Sequence, residues 1–197
     1  NLDNPEDYLL LQGRTHGTYS YNDALVSMYR LGMSPEVVTV AKKLGYSVSN
    51  TAKEKNGRDY IGNINWQKAL SLNLSLGGFT LNPRQFADFL ILLKSGNAKD
   101  AKNRKVPKSK LDEILDEIIG VRDPWRSEWL DADFKYISGK LWLISGKLWL
   151  YSEHQLVNGN LEASYKKELE NCLMTKGVQI DLESMNSQGL PTKKGND

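Results

Sequence analysis

Residues 138–151 repeat one seven-residue block in tandem, SGKLWLI followed by SGKLWLY, and the copies differ only at Ile144 and Tyr151. No other stretch constrains the fold as tightly. Each copy is a Ser-Gly pair followed by five residues in which Leu alternates with Lys, Trp or Ile. Two residues containing Gly between alternating runs are the signature of a tight β-hairpin. Asn158-Gly159, the strongest short hairpin signal, marks the next turn. The spacing therefore predicts an antiparallel meander over about residues 133–164.

Reading Ser138-Gly139 and Ser145-Gly146 as two-residue loops makes 140–144 a middle strand. Phe134, Leu143 and Leu148 then form one row, and Tyr136, Leu141 and Leu150 a second. These rows share a face and read as core. The opposite face carries Lys135, Trp142 and Trp149, flanked by Asp133, Ile144 and Lys147 and by Ile137, Lys140 and Tyr151. The two-residue period of a strand forces this division, because a slip of one residue would exchange the faces. Trp142 and Trp149 become a cross-strand pair. The third strand runs from Lys147 towards Val157, long enough to call for a bulge near Ser152 to His154.

Upstream of the meander the signals are helical. Asn22 or Asp23 caps a first helix through about Leu31, and Ser34-Pro35-Glu36 opens a second with a capping Ser, Pro at the first position and a carboxylate in the first turn. Residues 47–63 read as a loop. Helices over Asn65 to Leu76, from Asn82-Pro83 to Gly96 and from Ser109 to Ile119 follow, the last with Leu111, Ile114, Leu115 and Ile118 inward. The basic stretch 97–110 between them reads as an exposed loop. After the meander come a helix near Tyr165 to Met174 and a short strand near Val178 to Leu182. The expected class is α+β, a helical N-terminal half packed on a C-terminal antiparallel meander. One domain spans 1–185, with its helical part at about 20–120, and 186–197 is a Gly-, Pro- and Lys-rich linker or tail.

The chain holds 26 basic and 24 acidic residues, a net charge of +2, too small for bulk charge to argue for nucleic acid or a membrane surface. One cysteine, Cys172, excludes an internal disulfide and reads as a small core residue rather than a nucleophile; it fits either redox compartment, with the cytoplasm favoured. No apolar run is long enough for a transmembrane helix, and the start has no signal-like pattern of charged then apolar residues. His16 and His154 read as a solvated loop residue and a residue at the bulge. Asp131, Asp133 and Lys135 have the Asp-x-Lys spacing with which some nucleases hold a metal, but the meander around them is not the mixed sheet that chemistry needs. No phosphate-loop, dinucleotide, zinc-protease or nucleophile-elbow motif occurs. Neither a cofactor nor a metal site is expected.

The constellation that remains is the aromatic and basic sheet face: Trp142, Trp149 and Tyr151 with Lys135, Lys140 and Lys147. Its readings are burial within the fold, a protein contact, and a surface stacking bases or sugars. Three further stretches, FADFLILLKSG at 86–96, EWLDADF at 128–134 and SQGLPT at 187–192, carry a family resemblance. They resemble uncharacterised proteins of phages and of small-genome archaea and bacteria. In some of those a similar segment precedes a domain similar to the formylglycine-generating-enzyme and C-type-lectin fold. The resemblance implies a scaffold or display role and assigns no catalytic residue. The expectation is a non-enzymatic binding or scaffold domain that contacts another protein or itself, within a larger display or ligand-binding protein. The alternative is a nucleic-acid-binding protein or nuclease using the Trp and Lys face with Asp131 and Asp133.

Overall fold

The computed structural model describes residues 4–47, 51–62, 64–121, 128–138, 146–173 and 180–193. The class is α+β, with four helices and antiparallel strands among the described residues. Strands come first. After a single 3-10 turn at Pro5–Asp7, β1 (Tyr8–Leu11) and β4 (Ala24–Ser27) form a ribbon, and between them β2 (Arg14–His16) and β3 (Tyr19–Tyr21) form a hairpin. This corrects the helix expected through Leu31. Leu9 and Leu11 on β1 and Val26 on β4 point to one side and are buried, the alternation of a strand. The capping signal is real but differently spent: the Asp23 carboxylate accepts the Gly13 N–H at 2.7 Å across the bend of the ribbon. Gly13 is required there, because a Cβ would lie 2.6 Å from the Tyr21 carbonyl.

Three of the helices begin where their caps place them, whereas the fourth starts at Lys108 with no side-chain cap, so Ser109 lies inside it rather than capping it. In α1 (Pro35–Lys43) the Ser34 hydroxyl accepts from the Val37 N–H, and in α2 (Trp66–Ser75) Asn65 accepts from Lys68. Helix α3 (Pro83–Ser95) opens with a full capping box between Asn82 and Gln85 and closes on Gly96 at φ +69°. Helix α4 (Lys108–Ile119) follows. Between α1 and α2, where a loop was expected, β5 (Thr51–Lys53) pairs with β6 (Asp59–Ile61). The main core joins Leu9, Leu11, Val26 and Met28 to Phe89, Leu90 and Leu93 of α3 and to Leu111 and Ile114 of α4. A smaller cluster of Val37, Ala41 and Leu72 holds α1 to α2. Among the described residues no helix is long and apolar enough to cross a membrane.

A three-stranded sheet has the order β7-β8-β9, with β7 (Asp133–Ile137), β8 (Lys147–Val157) and β9 (Asn160–Glu168). The Asn158-Gly159 turn has positive φ at both residues, 51° and 81°, as a two-residue type I′ hairpin requires. The bulge expected near Ser152 to His154 does not form; Glu153 takes φ +56° there without an extra residue entering either strand. The β8–β9 register is the same on either side of it, and the Ser164 hydroxyl donates to the Glu153 carbonyl at 3.0 Å where the ladder is broken. The helix expected from Tyr165 is instead the end of β9, held by pairing of Tyr165 to Glu168 with Ser152 to Trp149.

The order of the meander also departs from expectation. Strand β7 pairs directly with β8, Lys135 opposite Trp149 and Ile137 opposite Lys147, where a middle strand was expected between them. Residues Lys140, Leu141, Trp142, Leu143 and Ile144 lie outside the described residues, and with them the Trp142–Trp149 pair. The face division holds along β8, where Leu150, Ser152 and His154 are buried beneath α2. It fails at β7, where Phe134 and Tyr136 are exposed because the helix layer covers β8 and not the sheet edge.

The tail is also corrected. Residues 186–193 pack into the fold: Gln188 is buried, its side chain bonds the backbone at Glu168 and Glu170, and the Asn186 carbonyl accepts from Arg84 at 3.2 Å. A Cβ on Gly189 would lie 2.2 Å from the Arg84 nitrogen, so this segment approaches α3 as closely as backbone can.

Two outcomes follow. The pairing of Ile137 with Lys147 is the one a two-residue Ser-Gly loop would impose, so removing Ser138 to Ile144 leaves Ile137-Ser145-Gly146-Lys147 in the observed register. That deletion should keep the fold and not lower the melting temperature, since a shorter loop costs less closure entropy; loss of the Lys135–Trp149 cross-strand contact in an NMR spectrum would count against it. Removing 186–197 should cost about 2 kcal/mol or more, a fall of roughly 4–8 °C in a chain of this size, and thermal denaturation reads it directly.

Candidate functional site

Four of the six residues singled out in the sequence meet on one face of β7 and β8. The register sets Asp133, Tyr151 and Lys166 in one row and Lys135, Trp149 and Glu168 in the next. Trp149 and Tyr151 are half-buried, and the Lys135 ammonium lies 4.6 Å from the centre of the Tyr151 ring, with Lys166 at 5.9 Å. This is cation–π geometry. The other two, Lys140 and Trp142, lie outside the described residues.

Two of the lysines on this face have carboxylate partners. Lys135 pairs with Asp133 at 3.2 Å and Lys147 with Glu168 at 2.8 Å. A phosphate backbone would have to displace these carboxylates to reach the ammonium groups, and exposed pairs of this kind are worth only about 0–1 kcal/mol each. The face is thus aromatic with a partly neutralised rim. Next to it β7 presents exposed apolar side chains on both sides: Phe134 at 40%, Tyr136 at 66% and Ile137 at 41% of full exposure. Trp129, also exposed, donates its ring N–H to the Ile64 carbonyl at 2.7 Å. Among the described residues no strand pairs with the other edge of β7.

Both histidines are tied to buried carboxylates, which sequence reasoning missed. His154 and Asp131 are buried together: one Asp131 oxygen accepts the His154 backbone N–H at 2.9 Å, the other bonds the ring Nδ1, and Trp66 packs edge-on against the imidazole at 5.3 Å. The Trp66 indole in turn donates to the Leu130 carbonyl at 2.8 Å. The pair is closed to a substrate and anchors β8 to the segment before β7. Asp131 is bonded to His154, and Asp133 is paired with Lys135 at 3.2 Å. Among the described residues no three His, Cys, Asp or Glu side chains are placed to hold a metal ion.

Asp88 on α3 is 1% exposed and gathers the second group. Its Oδ2 accepts from His16 Nε2 at 2.8 Å and from the Tyr21 hydroxyl at 2.6 Å; its Oδ1 accepts from Arg84 at 2.8 Å, with Arg14 at 3.8 Å. Burial, then the hydrogen bond to this carboxylate, pushes the Tyr21 hydroxyl well above its ordinary pKa, so it stays a donor. Burial likewise raises Tyr19, whose hydroxyl donates to Glu153 at 2.9 Å and accepts from Asn82. A cleft of about 260 Å³ beside this group is lined by His16, Gly17, Met185, Asn186 and Ser187. The Ser187 hydroxyl donates to Glu170 rather than to His16, so no nucleophile and base are paired across it. Burial pushes the Cys172 thiol above its ordinary pKa, which disfavours the thiolate.

Comparison with protein-family models, with curated proteins and with solved structures gives no match. The assignment of roles therefore rests on geometry. Replacing Asp88 with Ala would strand the buried Arg84 guanidinium without its carboxylate. The expected loss is about 3–5 kcal/mol of unfolding free energy, read by urea denaturation; a loss below about 1 kcal/mol would mean that this cluster does not hold the hairpin to α3.

Proposed function

We propose that this chain is a non-enzymatic protein-binding domain, and that it docks a partner protein on the Trp149 and Tyr151 face and the adjoining free edge of β7. The observation that carries the reading is the exposure of Phe134, Tyr136 and Ile137 on an edge strand with no described neighbour on its outer side. An open edge offers backbone hydrogen bonds to an extended segment, and alternate side chains give the pairing its selectivity. Trp149 and Tyr151 supply large, stiff contact area next to that edge, the residue types that dominate protein interfaces. The carboxylate partners of Lys135 and Lys147 favour a protein over a nucleic acid. The role agrees with the scaffold or display function that the resemblance to phage and small-genome prokaryotic proteins implies.

Selection from a library of extended peptides tests this. Peptides that bind the intact chain should lose at least about thirtyfold in affinity when Trp149 is replaced by Ala or Tyr136 by Asp, the scale of an interface hot spot, and nothing on Thr39→Ala, an exposed change on α1. Binders indifferent to Trp149 and Tyr136 would place the docking surface elsewhere. Micromolar, salt-dependent binding of single-stranded oligonucleotides, lost in Trp149→Ala, would replace this reading with a stacking surface for nucleic acid.

A further inference from the structure

The docking reading can be carried one step further, to the identity of a partner, and rests on that reading. We propose that the outer edge of β7, which no strand among the described residues pairs, pairs antiparallel with β7 of a second copy of this chain, in a register centred on Phe134. Two identical strands side by side and antiparallel in one sheet are related by a two-fold axis normal to the sheet. Such an axis keeps each face on its own side, so residues opposite one another must have the same parity. The centre of pairing must then fall on a residue, not between two.

Strand β7 is Asp133, Phe134, Lys135, Tyr136, Ile137. Centring on Lys135 gives the longest overlap but sets the two lysines against each other, and like charges directly opposite are destabilising. Centring on Tyr136 leaves Asp133 unpaired and sets Lys135 against Ile137. Centring on Phe134 sets Asp133 against Lys135 twice, once on each side of the axis, and Phe134 against Phe134 on the opposite face. Both favourable classes of cross-strand pair, opposite charges and aromatic rings, are then formed together. Asp133 and Lys135 already lie on one face within 3.2 Å of each other, so pairing exchanges an intrachain partner for an interchain one without burying a lone charge. The lysine at the centre of the edge blocks the self-matching register and admits the one in which it meets an aspartate.

The product is a continuous sheet in the order β9-β8-β7-β7-β8-β9, with the Trp149 and Tyr151 faces of both copies on the same side. A contact of one short strand from each copy is small, so the dimer should be weak, with dissociation in the micromolar range or above.

The charge pattern provides the test. Sedimentation equilibrium of the full chain should show a monomer–dimer equilibrium at about 100 μM. Asp133→Lys alone and Lys135→Asp alone should each weaken it at least tenfold, since each sets two like-charge pairs face to face. An equimolar mixture of the two variants should recover a heterodimer, and the double variant D133K/K135D should recover the homodimer. Recovery in the mixture also establishes that both single variants are folded. A monomer at all concentrations, single variants that dimerise as the parent does, or a mixture that stays monomeric would each overturn the proposal. A monomer that still binds selected peptides through Trp149 and Tyr136 would remove the second copy as partner and leave the docking surface standing; loss of both would remove the surface itself.

Discussion

The carboxylate of Asp88 is the interaction on which the N-terminal half depends. Burying a carboxylate to 1% exposure costs several kcal/mol of desolvation unless hydrogen bonds and opposite charges replace the lost water. Compensation comes from one turn earlier on the same helix, Arg84, and from the β2–β3 hairpin, His16, Tyr21 and Arg14. Arg84 carries the network onward to the Asn186 carbonyl. One turn of α3 thus fastens a hairpin far upstream and a loop far downstream in the chain. Neither segment owns enough apolar surface to hold itself in place: β2 and β3 bury only Tyr19 fully, and of 184–192 only Gln188 and Gly189 are fully buried. Polar satisfaction does here what a core does elsewhere.

The second buried pair, Asp131 with His154, works the same way for the β7–β9 sheet. It joins β8 to the residues leading into β7, while the Asp131 N–H donates to the Leu81 carbonyl just before α3. The β7–β9 sheet is therefore held by its β8 centre and by the root of β7. The tip of β7 is left uncovered. This asymmetry explains how a strand with alternating apolar residues comes to expose Phe134 and Tyr136 while Leu150 opposite Phe134 is buried.

What the sequence made legible was local. Ser34-Pro35, Asn65 and Asn82-Pro83 cap the helices as read, because a capping side chain bonds a backbone N–H three residues away. The Asn158-Gly159 turn and the side-to-side parity of β8 were legible for the same reason. What was not legible is long-range. Residues 24–27 and 165–168 carry helix-compatible side chains, and only pairing with β1 and with β8 makes them strands. His16 meets Asp88 across 72 positions and His154 meets Asp131 across 23, and no local pattern marks either meeting. The duplicated block shows a different limit. Both copies satisfy one register against β7, so the pattern specified the pairing and left open which copy fills it.

The shared anchor on α3 has a kinetic meaning. Hydrogen exchange reports the free energy at which a segment opens, and segments that open together report one value. The β2–β3 hairpin and the 184–192 loop are bound to the same buried Arg84–Asp88 turn, so neither can detach without exposing the charges that hold the other. Their slowest amides belong to one cooperative unit despite lying near opposite ends of the chain. The outer edge of β7, which answers to no such anchor, belongs to a separate and more readily opened one. The molecule thus divides energetically by its buried charges rather than by the order of its residues.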